Sequence, residues 1–192
     1  MSGNFEALPG GGAAVTLDEV EISILRSLAV QLLELIGPGD EPAQGEDPLA
    51  ALFAEGPSER PTDPALARLF PDAYGDDDEE LRAAAAEFRR FTENDLRSRK
   101  RDDALAVVRS LDGLSAAGEG GAVLKLTHEE SLRWLGALND LRLTIGTRLE
   151  VTDEDEMGEL YRLPDSDPRK PMVMAYLWLG ALQETLVETL MP

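Results

Sequence analysis

Hydrophobic residues recur at intervals of three and four along most of the chain, the spacing of amphipathic helices. Val20, Ile24, Leu28, Leu32 and Leu35 predict a first helix, opened by Thr16 with Glu19 as a capping box and stopped by Gly37-Pro38-Gly39. Leu132, Leu135, Leu138, Ile145 and Leu149 predict another over 128–149, opened by the box Thr127 and Glu130. A last helix is predicted over about 170–190. Its start, MVMAYLWLGAL, is apolar nearly all round, which predicts a central place in the fold. Between these, a helix follows DDDEE (76–80) and runs to about Leu111, the acidic run favouring its positive end. Its apolar positions Ala84, Phe88 and Phe91 give way to TENDLRSRKRDD, where Leu96 is the lone large apolar residue, before Leu105 and Val108. That polar middle either faces water or buries paired charges.

Shorter signals fill the gaps. DPALARLFPDAY (63–74) predicts a short helix with Asp63 ahead of Pro64 in the first turn, and PLAALFA another within a proline-punctuated loop. VLKL, after a glycine-rich break at 113–121, predicts a short strand. Residues 1–15, rich in Gly and small side chains, are expected to be a flexible lead-in with at most a short strand at its end. The expected fold is mainly α: one helical bundle over 16–192 with about four longer helices, short helices and at most a minor β element. Acidic loops are expected at 37–62 and 150–168.

WLGALNDLRL at 134–143 is echoed by WLGALQETLV at 178–187. The flanks differ and there is no third copy, so the echo points to packing rather than to a solenoid repeat. Small residues let helix backbones approach closely, so Gly136 and Gly180 are expected where these two helices cross. Asn139 and Gln183 are drawn toward the apolar faces, and Asp140, Arg142, Arg148 and Glu184 are the nearest partners in sequence. These six residues form the candidate buried polar cluster or ligand site. Trp134 and Trp178 are expected to be core anchors.

Composition narrows the function. Against 18 Lys and Arg stand 38 Asp and Glu, a net charge of −20 that repels nucleic acid and anionic lipid and disfavours both as partners. The absence of cysteine removes disulfides, thiolate metal sites and a cysteine nucleophile. The start has neither the basic nor the apolar segment of a secretory signal, and the longest apolar run is too short to span a bilayer, so a cytoplasmic protein is expected. Basic residues concentrate between Arg82 and Arg109, where eight Lys and Arg face five acids. Arg89, Arg90, Arg97, Arg99, Lys100 and Arg101 are the candidate partner surface. The bland alternative is that they pair with the protein's own acids.

Catalytic chemistry finds little footing. His128, the sole histidine, is expected to be an exposed first-turn residue, and Lys125 stands where a Glu-x-x-His metal motif needs its glutamate. DEDEMG, from Asp153, starts like a calcium loop, but Met157 and Pro164 fall at ligand positions. Phosphate-loop, dinucleotide and nucleophile-elbow signatures are missing. No cofactor or metal is expected.

LARLFPDAY, EFRRFTENDLRSRK, WLGALNDLRLTIGTRLEV and DPRKPMVMAYLWLGALQETL, in that order, resemble an uncharacterised family of actinobacterial proteins over about Leu17 to Leu190. Some members carry a transcriptional-regulator label, and they are often encoded beside the ClpS adaptor and near a JAMM-type metallopeptidase and a sulfur-carrier system. The resemblance implies a bacterial cytosolic setting and a tilt toward proteostasis or regulation; it supplies no catalytic residues. The expectation is a non-catalytic adaptor or regulator that binds another protein or itself. The alternatives are a transcription regulator reading DNA through the 89–101 helix, and a small-molecule-binding helical domain.

Overall fold

The computed structural model describes residues 3–38, 56–75, 78–114, 121–151 and 160–191. Strands β1 (Glu6–Ala7) and β2 (Ala13–Leu17) lead into helix α1 (Glu19–Ile36). Then come α2 (Pro64–Leu69), α3 (Glu79–Asp112), β3 (Ala122–Leu126), α4 (His128–Arg148) and α5 (Lys170–Leu190). The fold is mainly helical with one small antiparallel sheet, ordered β1-β2-β3. PLAALFA, DEDEMG, Asp76 and Asp77 lie outside the described residues, as do 39–55 of the first acidic loop and 152–159 of the second.

The expected lead-in is partly sheet. Gly10, Gly11 and Gly12 take positive φ values of 94° to 98°, and the turn they form joins β1 to β2, with Leu8 N donating to Gly12 O at 3.0 Å. Alternation in β2 buries Ala13, Val15 and Leu17, and β3 answers with Ala122, Leu124 and Leu126. Ala13 pairs with Leu126 and Leu17 with Ala122. Thus the first strands close onto a segment more than 100 residues away. Phe5 is buried, meets Trp134 edge-on at 6.1 Å, and its N–H donates to Thr185 Oγ1 at 3.1 Å. Composition alone concealed this, because Gly-rich hairpin turns and loose tails look alike.

Helix ends follow their local chemistry, with one displacement. α1 starts two residues later than expected: Asp18, not Thr16, is the N-cap, accepting from Glu21 N at 2.8 Å while Glu21 accepts from Asp18 N at 3.0 Å. Thr16 belongs to β2. The pairing of β2 with β3 continues through Leu17 and holds those residues extended. Thr127 and Glu130 cap α4 as expected, Asp63 caps α2, and α3 runs unbroken to Asp112. At 1.5 Å per residue α3 is about 51 Å long.

The inward faces are rotated from those the periodicity suggested. α1 buries Glu21, Leu25, Ala29, Leu32 and Ile36, leaving Val20 and Ile24 exposed. α4 buries Trp134, Ala137, Leu138, Leu141 and Ile145, leaving Leu132 exposed. Centrality also shifts: α4, not the last helix, packs against α1, α2, α3 and α5, while α5 packs chiefly on α4 and β1. Where α5 is apolar all round, Pro171, Met172 and Ala175 line an open groove instead of the core.

Gly12 combines a φ of 98° with a backbone neighbour that would lie 2.2 Å from an added Cβ, the carbonyl oxygen of Leu126. Gly12→Ala is therefore expected to destabilise the fold by at least about 2 kcal/mol, read as a lower urea midpoint at unchanged m-value. Gly180→Ala, whose Cβ would meet Arg142 at an ordinary 3.5 Å, should leave the midpoint unchanged or raise it.

Candidate functional site

The basic middle of α3 points inward. Arg89 and Glu93, 5% and 3% exposed, occupy core positions on the same stripe as Ala85, Ala104, Val107 and Leu111. Arg89 donates to Glu93, to Phe70 O at 2.9 Å and to Asp72 at 2.8 Å. Arg97 donates to the other oxygen of Glu93 at 2.6 Å and to Ile36 O, with its guanidinium 4.5 Å over the Phe70 ring. Arg101 donates to Gly37 O and, at 3.4 Å, to Leu33 O. Lys100 reaches Asp140 at 2.6 Å. Arg90 is half-buried over the Phe91 ring at 4.9 Å, and Arg99 is exposed.

Of the expected partner surface, the structure engages Arg89, Arg97, Lys100 and Arg101 with the protein's own carboxylates and carbonyls. The physical reason lies in α1, whose last turn has no basic residue and leaves carbonyls needing donors. α3 supplies them. Phe88 and Phe91, expected on the buried side, are turned out by the same rotation.

The expected six-residue cluster separates into parts. Arg142 donates to Gln183 Oε1 at 2.7 Å and lies 5.2 Å over the Tyr176 ring, joining α4 to α5. Asp140 turns the other way, to Lys100 on α3, with Asn139 beside it. Asn139, Arg148 and Glu184 are exposed. Nor do the glycines meet. A Cβ on Gly136 would lie 2.5 Å from Asp103 Oδ2, and one on Gly180 would lie 3.5 Å from Arg142 Nε. Each notch admits a charged side chain from a neighbouring helix, so the two helices pack without their glycines touching. Both tryptophans are buried; Trp134 Nε1 donates to Ser110 Oγ at 3.3 Å, whereas Trp178 Nε1 has no described partner.

Sequence reasoning did not find the groove between α1, α4 and α5, of about 550 Å³. Leu28, Leu32 and Leu35 form one wall, Leu141, Thr144 and Ile145 the floor, and Pro171, Met172 and Ala175 the far wall. Glu34 and Arg148 stand at its edge, both exposed. Its signal was present as a surplus of apolar positions on α1 and early α5, more than one core face requires. A smaller cleft of about 240 Å³ lies beside Phe70, Phe88 and Arg89.

Among the described residues no three His, Cys, Asp or Glu side chains group to hold a metal ion, and no helix is long and apolar enough to cross a membrane. His128 is an exposed first-turn residue. The arrangement is that of a helical domain with internal ion pairs and an open apolar groove. The chain belongs to the family described as a domain of unknown function, DUF2017, whose model matches residues 2–190. It is similar to the oxidative stress regulator AosR of Mycobacterium tuberculosis and to that of Mycobacterium bovis. Both are 32% identical over 177 residues, covering 89% of this chain and 78% of each relative. The putative oxidative stress regulator AosR of Mycobacterium leprae is 32% identical over 176 residues, covering 89% and 79%. No solved structure matches.

Two sets of ion pairs give separate tests. Glu93 neutralises Arg97 and, with Asp72, Arg89, so Glu93→Leu leaves Arg97 without a carboxylate in a largely closed space. It should cost about 3–5 kcal/mol, and Arg97→Met added to it, which removes the unpaired charge, should recover part of the loss in urea denaturation.

Burial, reinforced by Asp140, raises the Asp103 carboxyl above its ordinary 3.8. Burial raises Asp140 too, against the opposing bonds from Lys100 and Asn139. Both groups then bind a proton more tightly folded than unfolded. Their contribution favours the fold at low pH and declines as pH rises from the ordinary value through the raised one. Asp103→Asn, neutral throughout, is expected to raise the urea midpoint at pH 7 and flatten its decline across that window. A lower midpoint at pH 7 would instead make the Asp103 charge a net stabiliser.

Proposed function

We propose that this chain is a non-catalytic regulatory or adaptor protein that acts through protein–protein contacts in the response to oxidative stress. The observation carrying this reading is the internal engagement of Arg89, Arg97, Lys100 and Arg101 in a chain of net charge −20, which leaves an acidic exterior suited to a basic protein surface. Its similarity to proteins named as oxidative stress regulators supports the setting. Without cysteine, the chain has no thiol to oxidise, so any redox signal reaches it by other chemistry or through a partner. Reading DNA through 89–101 would require those four cations to abandon interior partners. Arg142 and Gln183 already bond each other across two helices, which leaves a small molecule mainly the Arg142 Nε to engage.

The test combines a phenotype with a binding assay. Deleting the gene is expected to reduce survival under hydrogen peroxide, with restoration by the intact chain. Gel-shift titration with duplex DNA should give no shift at low salt. A shift with a steep salt slope, abolished by Arg99→Glu, would favour direct DNA reading; unchanged peroxide survival would remove the regulatory role.

A further inference from the structure

Two of the exposed large hydrophobic residues share one flank of α1. Val20 is 66% exposed and Ile24 36%, and Leu28 and Leu35 continue the same flank into the groove wall. At 100° per residue these four fall within a sector of about 80°, along about 22 Å of helix. Met172, 40% exposed, faces the groove from α5. Scattered exposed apolar residues are ordinary, but a continuous stripe ending in a concave apolar site is the form of a helix-binding surface. The α1 stripe alone is long enough for a docked helix of three to four turns.

Charge selects the occupant. A second copy would bring another −20 against the first, which opposes self-association through this face. An anionic peptide meets the same field, and Glu34 places a carboxylate at the groove edge. Arg148, on the lining, suits the carbonyl end of a docked helix, where the dipole is negative.

We propose that the groove between α1, α4 and α5 is the docking site for a cationic amphipathic helix of a protein partner, its apolar face against Leu28, Ile145 and Met172 and its basic face toward the acidic exterior. This rests on the regulatory reading above and gives it a surface.

The test uses the full chain and a fluorescein-labelled peptide helix of three to four turns with leucines on one face and lysines on the other. A twin carries glutamates in place of the lysines. In anisotropy titrations at physiological ionic strength the cationic peptide is expected to bind saturably and the acidic twin about tenfold more weakly or worse. The charge-neutral double variant Ile24→Asn/Met172→Gln should weaken binding about tenfold. Leu132→Gln, at a residue 50% exposed outside the groove, should not. Amide shifts should gather at Thr144 and Ala175, and unchanged circular dichroism and melting would show that the variants fold.

Equal binding by all variants, tighter binding of the acidic twin, or a dimer that the double variant dissociates would each overturn the proposal. If the peptide result fails while peroxide survival still requires the gene, the groove is wrong and the regulatory role stands. Groove-dependent peptide binding without any peroxide phenotype would sink the regulatory role alone.

Discussion

A helix that ends inside a protein leaves carbonyl oxygens in need of donors, and α1 ends without a basic residue in its last turn. The guanidiniums of Arg97 and Arg101, rooted one turn apart on α3, reach the carbonyls of Leu33, Ile36 and Gly37. Bringing two cations there would be unfavourable by itself; Glu93 neutralises Arg97 and, through its second oxygen, Arg89. Arg89 then holds Phe70 O and Asp72, fixing the segment after α2. Two separate pieces of chain, the end of α1 and the segment after α2, are thereby positioned by one polar stripe on α3. Apolar side chains could fill the same volume, but they could not satisfy the carbonyls.

Much of this architecture was legible. Caps at Asp63, Thr127 and the α3 start are local chemistry, readable from a few residues. The mainly helical class followed from periodicity. What failed was the phase of each helix, because an apolar stripe as wide as that of α1 fits several orientations and tertiary contacts choose one. Val20 and Ile24 had the right spacing for a core and lie outside it. The start of α1 shifted because Thr16 was claimed by a strand whose partner lies over 100 residues on, a contact no local window contains.

The repeated WLGAL segment shows how similar words acquire different partners. In α4 the glycine admits Asp103 from α3; in α5 it admits Arg142 from α4. The residue three positions after each glycine also diverges. Gln183 faces α4 and accepts from Arg142, whereas Asn139 is exposed and its neighbour Asp140 takes the inward role with Lys100. α4 is flanked by helices on several sides and α5 mainly by one, so equal sequences meet unequal surroundings. Expecting one shared cluster assumed that the two faces were opposed. Here they are consecutive layers.

Internal use of cations has an external consequence. Each arginine or lysine drawn into the α3 stripe is removed from the surface, and Arg26, Arg133 and Arg169 are paired with Asp112, Glu129 and Asp167. The field seen by an approaching molecule is more uniformly acidic than the spread of Lys and Arg along the sequence suggests. Against that background the apolar flank of α1 and the groove beside the first turns of α5 form a mainly apolar recess, edged by Glu34 and Arg148. Acidic surroundings act on a charged molecule at a distance, whereas an apolar recess acts only on contact. A surface that combines a repulsive field for anions with an apolar recess separates two demands on a ligand, charge at a distance and shape on contact, and the proposed regulatory reading draws on both.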